Sequence, residues 1–171
     1  MTNQPLKGIK VLDLGHYIAG PYCGKLMADM GAEVIKIEPP SGEPGRRLAP
    51  FIQDKPSLDS SLPFFYLNSN KKGITINLKT ENGISILKDF IKKTDVIIEN
   101  FSPGTLNNLG IGYDTIHSIN PSAVVVSISN FGQTGPYKDY KATEIIEYAL
   151  GGLMGIFGAY DKPPIKHALN Q

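Results

Sequence analysis

Cysteine is nearly absent. Cys23 is the only one in the 171 residues, which excludes an intramolecular disulfide and a cysteine-based metal site and points to a reducing compartment. Histidine is scarce too: His16, His117 and His167 have neither metal-ligand spacing nor a neighbouring Asp/Glu set, so they read as isolated structural residues. No charge of one sign dominates, with 17 basic against 16 acidic side chains, and a nucleic acid or other polyanion is not an expected partner. No stretch reaches the ~20 apolar residues that a membrane span needs. The N-terminus, Met-Thr-Asn-Gln-Pro-Leu-Lys-Gly, lacks a basic stretch followed by an apolar run. Repeats and low-complexity tracts are missing. The expectation is a soluble, cytoplasmic chain with no membrane contact. Its 41% hydrophobic and 19% charged residues are ordinary for one globular core.

What is present alternates. "IKVLDL", Ile9 to Leu14, is a β-branched run, followed by a glycine-rich turn and a helix from about Pro21 to Met30 that stops at Gly31. "AEVIKIE", Ala32 to Glu38, is a second strand, and the short links imply a parallel pair with a right-handed crossover. Pro39 to about Phe65 carries six prolines and reads as a long surface loop, a kind that is usually functional or disordered. "KGITINL", Lys72 to Leu78, is a third strand. Thr80 then caps an amphipathic helix with Ile84, Ile86, Leu87, Phe90 and Ile91 on one face. Asp95 to Glu99 is a buried-type strand. Two short helices follow, capped by Ser102 and by Asp114 or Tyr113, then the strand Ala123 to Ser129 and a long apolar helix from Thr143 to about Phe157. Five strands alternating with helices predict an α/β fold, a Rossmann-like open, mostly parallel sheet.

In such sheets ligands sit at the carboxyl ends of the strands. Gly15-His-Tyr-Ile-Ala-Gly20 is not the G-x-G-x-x-G of dinucleotide sites, although Glu38 ends strand two at a plausible position for a ribose. A glycine turn with close helix packing explains the pattern equally well. Cys23 lies one turn into a helix with no partner to activate it, and reads as a small buried residue. Arg46, Arg47, Lys71, Lys72, Lys79 and Lys141 stand at loop or strand edges, where they meet phosphates or, as the plainer alternative, solvent.

Taken in order, "LKGIKVLDLGHYIAGPYCGKLMADMGAEVIKIEPPSGEPGRR", "NSNKKGITINLKT", "DVIIENFSPG", "LGIGYD" and "VVVSISNFGQTGPY" resemble the N-terminal part of the family III CoA-transferases, the CaiB/BaiF type that includes formyl-CoA transferases. The related α-methylacyl-CoA racemases share much of this pattern. The resemblance covers the whole chain. It implies that residues 1–171 are an N-terminal, CoA-binding, Rossmann-like portion, with the family's second small domain and C-terminal return absent from this chain. It implies acyl-CoA and a small carboxylic acid as substrates, no tightly bound cofactor, and an interlocked homodimer at full length.

Carried over by position, the family's CoA contacts fall on Tyr17 and Ile18, on the segment after strand two, on Ile76 to Lys79, on Asn100, Phe101 and Ser102, near Asn108, and on Lys141 to Glu144. Two positions depart: formyl-CoA transferases place arginines where this chain has Pro39 and Asn108. The phosphates are then left to Lys79, Lys141, Arg46 or Arg47. Racemases carry Gly-His-Asp after their "GQxGP", whereas this chain has Ala142-Thr143-Glu144, which favours the transferase over the racemase. The resemblance also implies an aspartate nucleophile that attacks the thioester to give an aspartyl anhydride. Its place lies just past Gln171, so no catalytic residue is expected here and the chain alone is expected to be inactive. The remaining alternatives are a non-catalytic CoA-binding module and a nicotinamide-dependent oxidoreductase.

Overall fold

The computed structural model describes residues 4–165. The chain divides into two compact units, Met1–Ser129 and Asn130–Gln171.

In the first unit β-branched runs make the strands β1 (Lys10–Asp13), β2 (Glu33–Glu38), β3 (Lys72–Thr75), β4 (Val96–Glu99) and β5 (Val124–Ser127). They form one sheet in the order β3-β2-β1-β4-β5, and every pairing is parallel. Alternation along the strands sends successive side chains to opposite faces. Val11, Val34 and Ile98 face a core with Ala28 of helix α1 (Ala19–Asp29). Leu12, Ile37 and Ile97 face the other core, with Leu87 and Ile91 of α3 (Glu81–Ile91) and Ile116 of α5 (Tyr113–Ile119). Helices on both faces make a doubly wound α/β sheet of the expected class, parallel throughout.

Several boundaries differ from the sequence expectation. The segment after β2 is not a featureless loop: it holds 3-10 turns at Pro44–Arg47 and Ile52–Asp54 and helix α2 (Leu62–Leu67). Ser61 caps α2 by accepting from the Phe64 amide, a signal hidden among prolines. Thr80 does cap α3, through the Gly83 amide. Ile86, however, lies 48% exposed, because the core-facing stripe of partly buried Ile84 and buried Leu87 and Ile91 leaves residue 86 to its side. Ser102 is not a cap: Gly104 occupies the N-cap position of α4 (Thr105–Asn108), and Gly112 that of α5. The third strand ends at Thr75, three residues early, and Ile76 to Leu78 leave the sheet.

In the second unit helix α6 spans only Glu144–Leu150. The expected continuation to Phe157 is broken at Gly152, which takes φ +78°, before a 3-10 turn at Leu153–Gly155. Among the described residues no helix is long and apolar enough to cross a membrane.

Candidate functional site

β1 lies between β2 and β4, so the chain leaves the sheet in opposite directions on either side of it. This switch point opens a crevice at the strand carboxyl ends. The turn Leu14 to Ile18 enters α1 there, and glycine is required at its base. A Cβ on Gly20 would lie 2.7 Å from the Gly15 Cα, and one on Gly15 would lie 2.7 Å from the Gly20 Cα. The turn is fastened from β4: Asn100 Oδ1 accepts from the His16 amide at 2.6 Å and Asn100 Nδ2 donates to the His16 carbonyl at 2.9 Å. Tyr17 adopts φ +60°, left-handed and unfavourable for a non-glycine residue. Its amide donates to Oε2 of the fully buried Glu43 at 3.0 Å.

Beneath the turn lies a buried ionic network. Asp13, fully buried, accepts from the Gly15 amide at 2.8 Å and from Lys71 Nζ at 2.7 Å. Lys71 Nζ also donates to Pro21 O at 2.7 Å and Asn68 Oδ1 at 2.9 Å. Lys36 Nζ stands 3.7 Å from Asp13 and donates to the Gly15 carbonyl. At the end of β2 Glu38 holds Arg46 through two hydrogen bonds of 2.6 and 2.7 Å and accepts from the Glu43 amide at 3.1 Å. Arg46 also bonds Asp59 and lies 3.9 Å from the Phe64 ring centroid. Burial pushes the Glu38 carboxyl up, but the Arg46 guanidinium and the Glu43 amide outweigh it and hold it below the usual carboxylate value.

Two clefts open above this foundation. The first, about 230 Å³, has apolar walls of Leu14, Ile37, Ile76, Leu78, Phe101 and Leu109, with His16, Glu38 and Lys79 at its polar edges. His16 meets the Phe101 ring edge to face, centroids 5.0 Å apart. Burial and then the Lys36 charge lower the His16 imidazole below its ordinary value, against the pull of Asp13 and Glu38, so the ring is neutral near pH 7. The second cleft, about 480 Å³, shares Leu78, Lys79 and Leu109 and adds Thr80, Glu81, Ser85, Lys88 and Asn108.

The sequence candidates divide accordingly. Ile76, Lys79 and Phe101 line the first cleft, and Lys79 and Asn108 the second. Tyr17, 51% exposed, and the half-buried Ile18 stand in the turn beside the first. Asn100 holds the turn instead of lining a cleft. Ser102 is exposed, and its carbonyl accepts from the Thr105 amide. In the second unit Lys141 is exposed, and Glu144 begins α6, half-buried, with Thr143 as its N-cap.

The basic candidates need correcting. Arg46 is committed to Glu38 and Lys71 is buried against Asp13, so neither is a free phosphate ligand nor a solvated surface cation. Glu38 is likewise spoken for, which removes the acidic group that a nicotinamide cofactor's ribose would need. His16, read as an isolated structural residue, borders the cleft and packs against Phe101. Its place beside Tyr17, directly after β1, was the available signal. Leu14 and Ile37, at strand ends, and Leu109, at the end of α4, were not singled out because they belong to or pack against the core. Cys23 is half-buried, and burial together with Asp13 raises its thiol, so it is no activated nucleophile. Among the described residues no group of three or more His, Cys, Asp or Glu could hold a metal ion.

A parallel sheet with apolar and lysine-bearing clefts at its strand carboxyl ends is an α/β fold of the doubly wound class. Residues 6–170 match the family model described as CoA-transferase family III, and the chain belongs to that family. It is similar to a succinyl-CoA–D-citramalate CoA-transferase of Chloroflexus aurantiacus, 42% identical over 95% of this chain and 40% of the relative. A formyl-CoA:oxalate CoA-transferase of Streptomyces avermitilis is 45% identical over 95% of this chain and 38% of its own length. The crystal structure of a CaiB/BaiF family protein from Brucella suis superposes with a TM-score of 0.89 at 35% identity, covering 98% of this chain and 44% of that one. The chain therefore spans roughly two fifths of the length of these relatives.

Proposed function

We propose that this chain supplies the CoA-binding part of a transferase that moves CoA between an acyl-CoA and a small carboxylic acid. The observation that carries the proposal is the paired cleft at the switch point. An apolar slot bordered by Phe101 and His16 suits the flat adenine, and the adjoining lysines suit its phosphates. Tyr17 and Ile18 at the mouth of the turn extend the same surface. Lys141 and Glu144, in the second unit, are assigned to CoA by the family resemblance.

The chemistry implied is attack by an aspartate carboxylate on the thioester carbonyl, expelling CoA thiolate and leaving an aspartyl anhydride. The resemblance assigns that aspartate to none of residues 1–171, and the proposed contribution of these residues is CoA binding. The racemase relative is disfavoured by Ala142-Thr143-Glu144, which offers no histidine as a general base. By analogy with the relatives, the first donors to test are succinyl-CoA and formyl-CoA. Chromatography of the thioesters after incubation with oxalate or citramalate checks this: the 171-residue polypeptide is expected to leave them unchanged. Appearance of an acceptor thioester would place the nucleophile within these residues and overturn that part.

A further inference from the structure

We infer that Lys88, acting with Lys79, is the specificity-determining cation for the ribose 3′-phosphate of CoA. The inference rests on the CoA reading above and adds to it a residue that the motif comparison did not single out.

Glu81, Ser85 and Lys88 lie at i, i+4 and i+7 of α3, which puts them on one face, and they form one wall of the larger cleft. Asn108 lies on the opposite wall. Lys25, Lys36, Lys71, Lys72 and Lys92 all carry ion pairs, but neither Lys79 nor Lys88 has one among the described residues. Two uncommitted ammonium groups therefore share one cleft with a single carboxylate, Glu81.

Helix geometry fixes their directions. Lys88 lies two turns, about 10 Å, along the axis from Glu81, and its Cα–Cβ bond leans back toward the N-terminus of the helix. Its chain thus runs toward Lys79, which precedes the helix. A phosphate between them, near the Ser85 hydroxyl, receives charge-assisted bonds from two ammonium groups, which outweigh the single Glu81 carboxylate on the same wall. The cleft that suits adenine shares Leu78, Lys79 and Leu109 with this one. The 3′-phosphate is borne on the adenine's own ribose, while the diphosphate leaves the sugar on the 5′ side toward the pantetheine. A base in the first cleft therefore brings the 3′-phosphate to the second. It also answers where the charge comes from when Asn108 stands in place of an arginine.

The test is calorimetric titration of the full chain and of Lys88→Gln and Lys88→Arg with CoA and with dephospho-CoA, which lacks only the 3′-phosphate. The expected result is that the wild type prefers CoA, that Lys88→Gln weakens CoA about tenfold while leaving dephospho-CoA within about twofold, and that Lys88→Arg keeps the preference. Equal loss for both ligands, or no loss, overturns the inference while the CoA reading stands. A wild type that binds neither ligand overturns both.

Discussion

Asn100 and His16 exchange two hydrogen bonds, side chain to backbone, across the switch point between β4 and the turn after β1. A primary amide is the group that accepts from an N–H and donates to a C=O of one residue at once. Both strands bordering the crevice are locked by it. Asn100→Ala loses both bonds in a half-buried setting, and a destabilisation of about 1–3 kcal/mol is expected, with CoA affinity falling in parallel. Asn100→Asp keeps the acceptor and loses the donor, so it should fall between the two. Urea unfolding midpoints check the order.

Arg46 is expected to act through stability and not through phosphate binding. Arg46→Met strands the Glu38 carboxylate, which is 6% exposed, and a loss of about 2 kcal/mol or more follows. Arg46→Lys should recover little, because a single ammonium does not reproduce the two-pronged contact. Denaturation curves for the three proteins decide this. A ligand that binds Arg46→Met tenfold more weakly without any stability loss would return Arg46 to the phosphate site.

Two groups make the fold sensitive to acid, with the same sign. The folded-state values of His16 and Glu38 both lie below their ordinary ones, so each contributes stability that is present above the unfolded value and is lost as pH falls through the folded value. For His16 the loss begins below about pH 6.5, and for Glu38 below about pH 4.3. Melting temperatures between pH 8 and 2 should therefore decline in two stages. His16→Asn is expected to remove the upper stage and leave the lower one.

Gly20→Ala should be more damaging than an alanine placed in a helix usually is. The added methyl meets the Gly15 Cα at 2.7 Å and Asn100 Oδ1 at 3.0 Å, so either the turn or the Asn100 clasp must move. Overpacking of this kind costs about 1–3 kcal/mol. A thermal melt at the wild-type temperature would show that the turn yields freely.

The sheet was legible in the sequence because β-branched runs, glycine stops and the Thr80 cap act locally. Five strands and their parallel sense followed from that alternation. Less was legible where meaning depends on distant partners. Arg46 and Lys71 look like surface cations until the fold sets them beside Glu38 and Asp13, residues 8 and 58 positions away. Ser61 caps a helix that a proline-rich stretch conceals, and Gly152 ends one whose apolar pattern runs on. Family motifs point to Phe101, Ile76 and Lys79, and the fold brings these three to one cleft. His16 reads as structural in the sequence, and only its place beside Tyr17 directly after β1 hints at the cleft that it borders with Phe101. Residues after Ile165, including His167, lie outside the described residues.

The most direct measurement is the melting temperature of the chain against rising CoA, with NAD as the control. A ligand that binds only the folded state at 100 times its dissociation constant adds about 2.7 kcal/mol. The expected result is a rise that follows CoA concentration, is reduced by Phe101→Ala, and is absent with NAD. A rise with NAD and none with CoA would contradict the assignment of the crevice.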